Sequence, residues 1–167
     1  MFIPQNDFES SVLKSKLYIA LCNLIELTKE RAPYSSSSLS PLGFLKEYNT
    51  IHCGSSRQAG HTTSMLFAQQ QFFPHSLFVS YSRKTTKFLK ELFIKYNFNS
   101  SGCSFIGQYE ASKSIEEMEF SLYDAIFIDT ASLISQRTIE NLYKGVVSSY
   151  ISFNCHRKNL PYFILMQ

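Results

Sequence analysis

A stretch in the first half of the chain, Gly54-Ser55-Ser56-Arg57-Gln58-Ala59-Gly60-His61-Thr62-Thr63, sets small residues, an arginine, a histidine and hydroxyls between an apolar run and a helical pattern. A loop of this composition can turn backbone N–H groups inward around an anion, with the positive end of a helix dipole behind them. It can also offer a hydroxyl to a magnesium ion. Phosphate binding is the chemistry that such a loop suits. On the pattern G-x-x-x-x-G-K-[ST], Ser55 takes the first glycine position, Gly60 the second, His61 the lysine and Thr62 the hydroxyl, while Gly54 lies one residue out of register. His61 is the serious departure, because a neutral imidazole is shorter than lysine and lacks its permanent charge. A second run, Tyr123-Asp124-Ala125-Ile126-Phe127-Ile128-Asp129, reads as an apolar strand ending in a carboxylate that can hold magnesium through water.

Two weaker features accompany them. The strand Leu77-Phe78-Val79-Ser80-Tyr81 runs into Ser82-Arg83 and a helix, and Tyr162-Phe163-Ile164-Leu165-Met166 runs into Gln167. Each feature also has a plainer reading. The loop is a small-residue turn of a kind found in many α/β proteins, and Asp129 is a strand-end turn residue. His61 is then a neutral donor at a helix start, and Arg57 pairs with a surface carboxylate. The cluster His156-Arg157-Lys158 reads as a solvated loop before it reads as a contact for nucleic-acid phosphates.

The run Ser56-Arg57-Gln58-Ala59-Gly60-His61-Thr62-Thr63 closely resembles the Arg-Gln-x-Gly-Lys-[Ser/Thr] loop of viral DNA-packaging terminase ATPases and related helicase-like motors. The Asp129 strand resembles their Walker B strand, and the resemblance covers about Thr50 to Gln167. It implies a three-layer α/β P-loop NTPase-like core of the additional-strand class, with a mainly parallel sheet. It further implies that Ser55, Ser56, Arg57, Gln58, Ala59, Gly60, His61, Thr62 and Thr63 hold nucleotide, with the loop amides on the β-phosphate. Thr62 and Asp129 would hold the metal, Arg57 and His61 would touch outer phosphates, and Gln167 would sense the γ-phosphate, so Arg57 and Gln167 are the catalytic candidates. ATP and Mg2+ are the implied cofactors, and viral nucleic-acid processing or packaging in the host cytoplasm is the implied setting.

One departure bears on activity. These ATPases place a glutamate directly after the Walker B aspartate to orient the attacking water, and here Thr130 stands there. Glu110, Glu116, Glu117 and Glu119 lie upstream, and their spacing nominates none of them. Hydrolysis is therefore expected to be slow or absent unless a partner supplies groups in trans. The alternative is a pseudo-NTPase that binds and modulates another protein. A small nucleotide kinase would need the missing lysine and an arginine-bearing lid, which the sequence does not display.

The elements that must position these residues follow from periodicity. Apolar residues from Phe8 to Leu27 recur at helical spacing over Asp7 to Arg31, with Asn6 or Asp7 as cap and Pro33 as terminator, followed by a serine run at Ser35 to Ser38. A short helix is expected at Pro41 to Tyr48. Short apolar runs then alternate with helical stretches, the pattern of a parallel sheet with crossover helices. Strands are expected at Thr50–Cys53, Leu77–Tyr81, Ser104–Ile106, Ala125–Asp129 and Tyr162–Met166, and helices at Thr62–Phe72, Arg83–Tyr96 and Gln136–Tyr150, with a further piece at Ile115–Phe120. Residues 1–48 form a helical N-terminal extension packed on an α/β core at 49–167.

Composition narrows the classes further. With 167 residues, 44% hydrophobic and 17% charged, the chain has the apolar material for one packed domain, and global disorder is excluded. A net charge of +3 is no argument by itself for nucleic acid. Cys22, Cys53, Cys103 and Cys155 are scattered without a C-x-x-C pair, so a zinc site and a disulfide scaffold are not expected, and the reading is four reduced thiols. The fifteen Phe and ten Tyr read mostly as core, with Phe44, Tyr48 or Tyr81 as residues to stack on a base if exposed. No secretory leader is read in MFIPQNDFESS, and no run spans a bilayer, so a cytoplasmic protein without membrane contact is expected.

Overall fold

A computed structural model describes residues 11–31, 39–54, 60–152 and 160–167. In chain order the elements are α1 (Lys16–Arg31), α2 (Pro41–Tyr48), β1 (Thr50–Cys53), α3 (His61–Phe72), β2 (Ser76–Ser80), α4 (Arg83–Lys95), β3 (Cys103–Gly107), α5 (Gln108–Ser114), β4 (Ala125–Ile128), α6 (Gln136–Ser152) and β5 (Tyr162–Met166). Among the described residues the strands form one parallel sheet in the order β1-β5-β4-β2-β3. β2 and β4 are buried along their whole length, as central strands covered on both faces must be, which is why β4 reads as an unbroken apolar run and β2 as one closed at each end by a buried serine.

Helices cover both faces, giving three α/β layers. On one face α1, α3 and α4 pack Leu21, Ile25, Met65, Leu66, Leu89 and Phe93 against the sheet. On the other, α2, α5 and α6 contribute Leu45, Ala111, Ile139, Leu142 and Val146. The two helices of the N-terminal extension thus join opposite layers, α1 beside α3 and α2 beside α6. Local signals start the helices. The Ser82 hydroxyl accepts from the Thr85 N–H at 3.2 Å to cap α4, which then buries Thr86, Leu89 and Phe93 on one stripe. Ser40 does the same for α2 from the Gly43 N–H, with Pro41 in the first turn.

Register is set by one row of side chains. Phe105, Phe78, Phe127, Ile164 and Ile51 stand side by side across the five strands. Phe78 stacks on Phe105 with centroids 5.0 Å apart and on Phe127 at 5.2 Å. Because side chains alternate along a strand, this row fixes which face every neighbouring residue meets.

The structure corrects some expected bounds. The N-terminal helix is interrupted: the Ser15 hydroxyl accepts from the Tyr18 N–H at 3.2 Å, so α1 starts afresh at Lys16. The caps at Asn6 or Asp7, the terminator Pro33, the serine run 35–38 and the basic cluster 156–158 lie outside the described residues. The piece expected at Ile115 to Phe120 is two short 3-10 turns, preceded by α5, which periodicity did not reveal. Its start is fixed by Glu110, whose carboxylate accepts from the Gly107 N–H at 3.0 Å. Phe44 is buried and stacks on Tyr48, so it is not available to a base, whereas Tyr81 is exposed. No helix among the described residues is long and apolar enough to cross a membrane.

Phe127→Ala should cost about 3–5 kcal/mol, because it opens a cavity at the centre of the aromatic row. Urea denaturation followed by circular dichroism checks this, and a loss below about 1 kcal/mol would mean that the row does not organise the sheet.

Candidate functional site

The carboxyl ends of β1 and β4 send their chains to opposite faces, into α3 and α6, with β5 between them. In open parallel sheets the crevice at such a divergence is where ligands bind. Two residues beyond Phe127, Asp129 faces α3 as Phe127 does, and its N–H continues the ladder by donating to the Val79 carbonyl at 3.0 Å. Its carboxylate meets the start of α3. The Thr62 hydroxyl donates to Asp129, with Oγ1 3.2 Å from Oδ1 and 3.3 Å from Oδ2.

Gly60 makes the start of α3 possible. Its φ of 79° lies in the left-handed region that glycine enters without penalty, and its carbonyl accepts from the Ser64 N–H at 2.8 Å. Among the described residues no side chain caps α3. The first-turn N–H groups, which include those of His61, Thr62 and Thr63, are consequently left without intrahelical acceptors. His61 lies beside the carboxylate, close enough to favour its charged form, and its Nε2 is buried without a hydrogen-bond partner among the described residues.

Asp129 is only 2% exposed. Burial pushes its carboxyl above the usual range, opposed by the Thr62 hydroxyl, then by His61, then by Thr130. A buried carboxylate that accepts from Thr62 and Thr130 is a group beside which a hydrated cation would be stabilised, while the start of α3 next to it favours anions. Magnesium is bound in this manner, through one carboxylate and a hydroxyl with water and phosphate oxygens completing the octahedron, so Thr62 and Asp129 fit the ion the sequence implies. Among the described residues no group of three His, Cys, Asp or Glu gathers into an all-protein metal cage. Directly after Asp129, Thr130 is held at φ 54° and ψ 52°, a left-handed conformation that costs a β-branched residue of order 1–3 kcal/mol.

The other sequence-predicted residues distribute as follows. Gly60, His61, Thr62 and Thr63 begin α3, whereas Ser55, Ser56, Arg57, Gln58 and Ala59 lie outside the described residues. Gln167 sits on the α6 side of the sheet, its Nε2 3.5 Å from His52 Nδ1 at the mouth of a cavity of about 480 Å3. The upstream glutamates do not join Asp129. Glu110 caps α5 and pairs with Arg83 at 3.3 Å, and Glu117 and Glu119 line a separate cavity of about 790 Å3 between α5 and α6 that holds none of the predicted residues. The Glu116 side chain is outside the described set. Sequence reasoning missed His52 and, across the 480 Å3 cavity, Lys46, Ser132, Gln136 and Glu140. Their one visible signal was the polar His52 at an alternate position of an otherwise half-buried strand.

Comparisons with protein-family models, with curated proteins and with solved structures return no match for this chain.

The buried carboxylate leads to a stability prediction. With its folded pKa above the unfolded value, the native state binds more protons than the unfolded state between the two values, so stability falls as pH rises through that window. Asp129→Asn keeps an acceptor for Thr62 and removes the charge. It should raise the melting temperature at pH 7 and abolish the excess decline above pH 4 relative to the parent, as thermal melts from about pH 4 to 8 would record. A lower melting temperature at pH 7 would refute the desolvation account.

Proposed function

We propose that this protein is a degenerate P-loop NTPase-like protein that binds a nucleoside triphosphate with magnesium at the start of α3. The observation that carries the reading is the contact between Thr62 and Asp129, residues 67 apart in sequence. It joins the hydroxyl position of the loop pattern to the aspartate of the Walker B-like strand. The strand order adds support, since β5 lies between β1 and β4 as the inserted strand does in the additional-strand class. In this reading Thr62 and Asp129 hold magnesium, which would neutralise charge on the phosphates. The first-turn N–H groups of α3 bind phosphate oxygens, and Arg57 and His61 touch the outer phosphates. Gln167, as a γ-phosphate sensor, would have to turn away from His52.

Turnover is weak or absent in this proposal. Thr130 has no carboxylate with which to orient water, and none of the described glutamates upstream reaches the site. The implied setting is viral nucleic-acid processing or packaging, with a protein partner supplying the missing groups.

Calorimetric titration with ATP tests the reading. Magnesium-dependent binding at micromolar to millimolar concentration is expected, and Thr62→Ala or Asp129→Ala should weaken it by roughly tenfold or more, the effect of losing a charge-assisted contact of about 1.5–3 kcal/mol. His61→Lys should strengthen it by restoring the permanent charge. Equal binding by the parent and both alanine variants would remove Thr62 and Asp129 from the site. No binding at millimolar ATP would favour the second reading, a protein-binding scaffold, which the lost lysine and glutamate motivate.

A further inference from the structure

The cavity of about 480 Å3 lies on the α6 side of the sheet, at the carboxyl ends of β1 and β5. It is of the size that holds a drug-sized or nucleoside-sized molecule. Leu165 of β5, Ile134 and Ile139 line it from the side of the core. On one wall the Tyr143 ring stacks on Phe163 with centroids 4.3 Å apart, and its hydroxyl lies 3.1 Å from that of Thr50.

The charged groups of the cavity are already matched. Lys46 Nζ lies 2.9 and 2.8 Å from the two carboxylate oxygens of Glu140 and 5.4 Å from the Tyr143 ring centroid. Gln136 Nε2 donates to the same carboxylate at 3.4 Å. The pair leaves no net charge for a phosphate or a free cation to answer. The other polar groups of the lining are the His52 imidazole and the Gln167 carboxamide, whose Nε2 lies 3.5 Å from His52 Nδ1, the Gln136 side-chain carbonyl and the Ser132 hydroxyl, which makes no side-chain hydrogen bond among the described residues. A carboxamide presents a donor and an acceptor side by side, the complement of the adjoining donor and acceptor on the edge of a nucleobase.

We infer that this cavity binds the base of a nucleoside, a flat neutral nitrogen heterocycle of purine size, with His52 and Gln167 contacting its polar edge above the Leu165 floor. The choice of a nucleoside rests on the nucleotide reading of the neighbouring crevice, while the site is a separate one on the opposite face of the sheet from Thr62 and Asp129.

Saturation-transfer NMR and calorimetry on the full chain, with adenosine and with inorganic tripolyphosphate as separate probes, test it. Adenosine should bind the parent at millimolar concentration, and His52→Ala and Gln167→Ala should each weaken it by up to roughly tenfold, the loss of one hydrogen bond. Both positions are exposed, and unchanged melting temperatures would confirm that the variants fold. Thr62→Ala should leave adenosine binding unchanged and should weaken tripolyphosphate. Adenosine binding without tripolyphosphate binding would sustain this inference while removing the phosphate reading. Absence of adenosine binding, or equal binding by the parent and both cavity variants, would overturn it even if tripolyphosphate binds.

Discussion

The register of the sheet is the constraint on which both candidate sites depend. Stacking of Phe78 between Phe105 and Phe127 commits three strands to one alignment, and Ile164 and Ile51 extend the row to the edge strand. With that row facing α3 and α4, the period of two sends Asp129 to the same side and His52 to the other. A slip of one residue in β4 would turn Asp129 toward α6 and leave Thr62 without its acceptor. Large aromatic area therefore does more than hold layers together: it specifies where a carboxylate and an imidazole emerge.

A carboxylate at this position is expensive to the fold. Asp129 is buried and raised in pKa by desolvation, and the next residue is twisted into a left-handed conformation that suits glycine better than threonine. Neither feature helps a stable core, since a neutral residue at 129 and a glycine at 130 would relieve both. The left-handed Thr130 and the buried Asp129 carboxyl thus stand side by side at the carboxyl edge of the parallel sheet. The neighbouring helix opens at Gly60, and among the described residues no side chain closes its N–H groups.

Much of the architecture could be read from residue order. β1 and β5 have the expected bounds because their apolar runs are short and sharply flanked, and β2 and β4 are shifted or shortened at their ends by a single residue. The Thr62–Asp129 contact was legible because the two motifs that bear it are local, each a strand end with a distinctive neighbour. Other features were not legible for physical reasons. α5 is seven residues of mostly polar type, so its start depends on a Glu110 cap and not on an apolar stripe. The break at Ser15 turns on one hydroxyl choosing the Tyr18 N–H, which apolar periodicity cannot register.

The cavity on the α6 side was hidden for a different reason. His52 and Gln167 are 115 residues apart, and they meet because β5 pairs with β1 and not because either carries a local motif. That pairing also separates the chemistry of the two faces. Toward α3 lie the buried Asp129 carboxyl and the first-turn N–H groups of the helix. Toward α6 the cavity lining holds the paired Lys46 and Glu140 with His52, Gln136, Gln167 and Ser132. The sheet, by keeping these environments on opposite faces, allows each to be optimised without desolvating the other's charge.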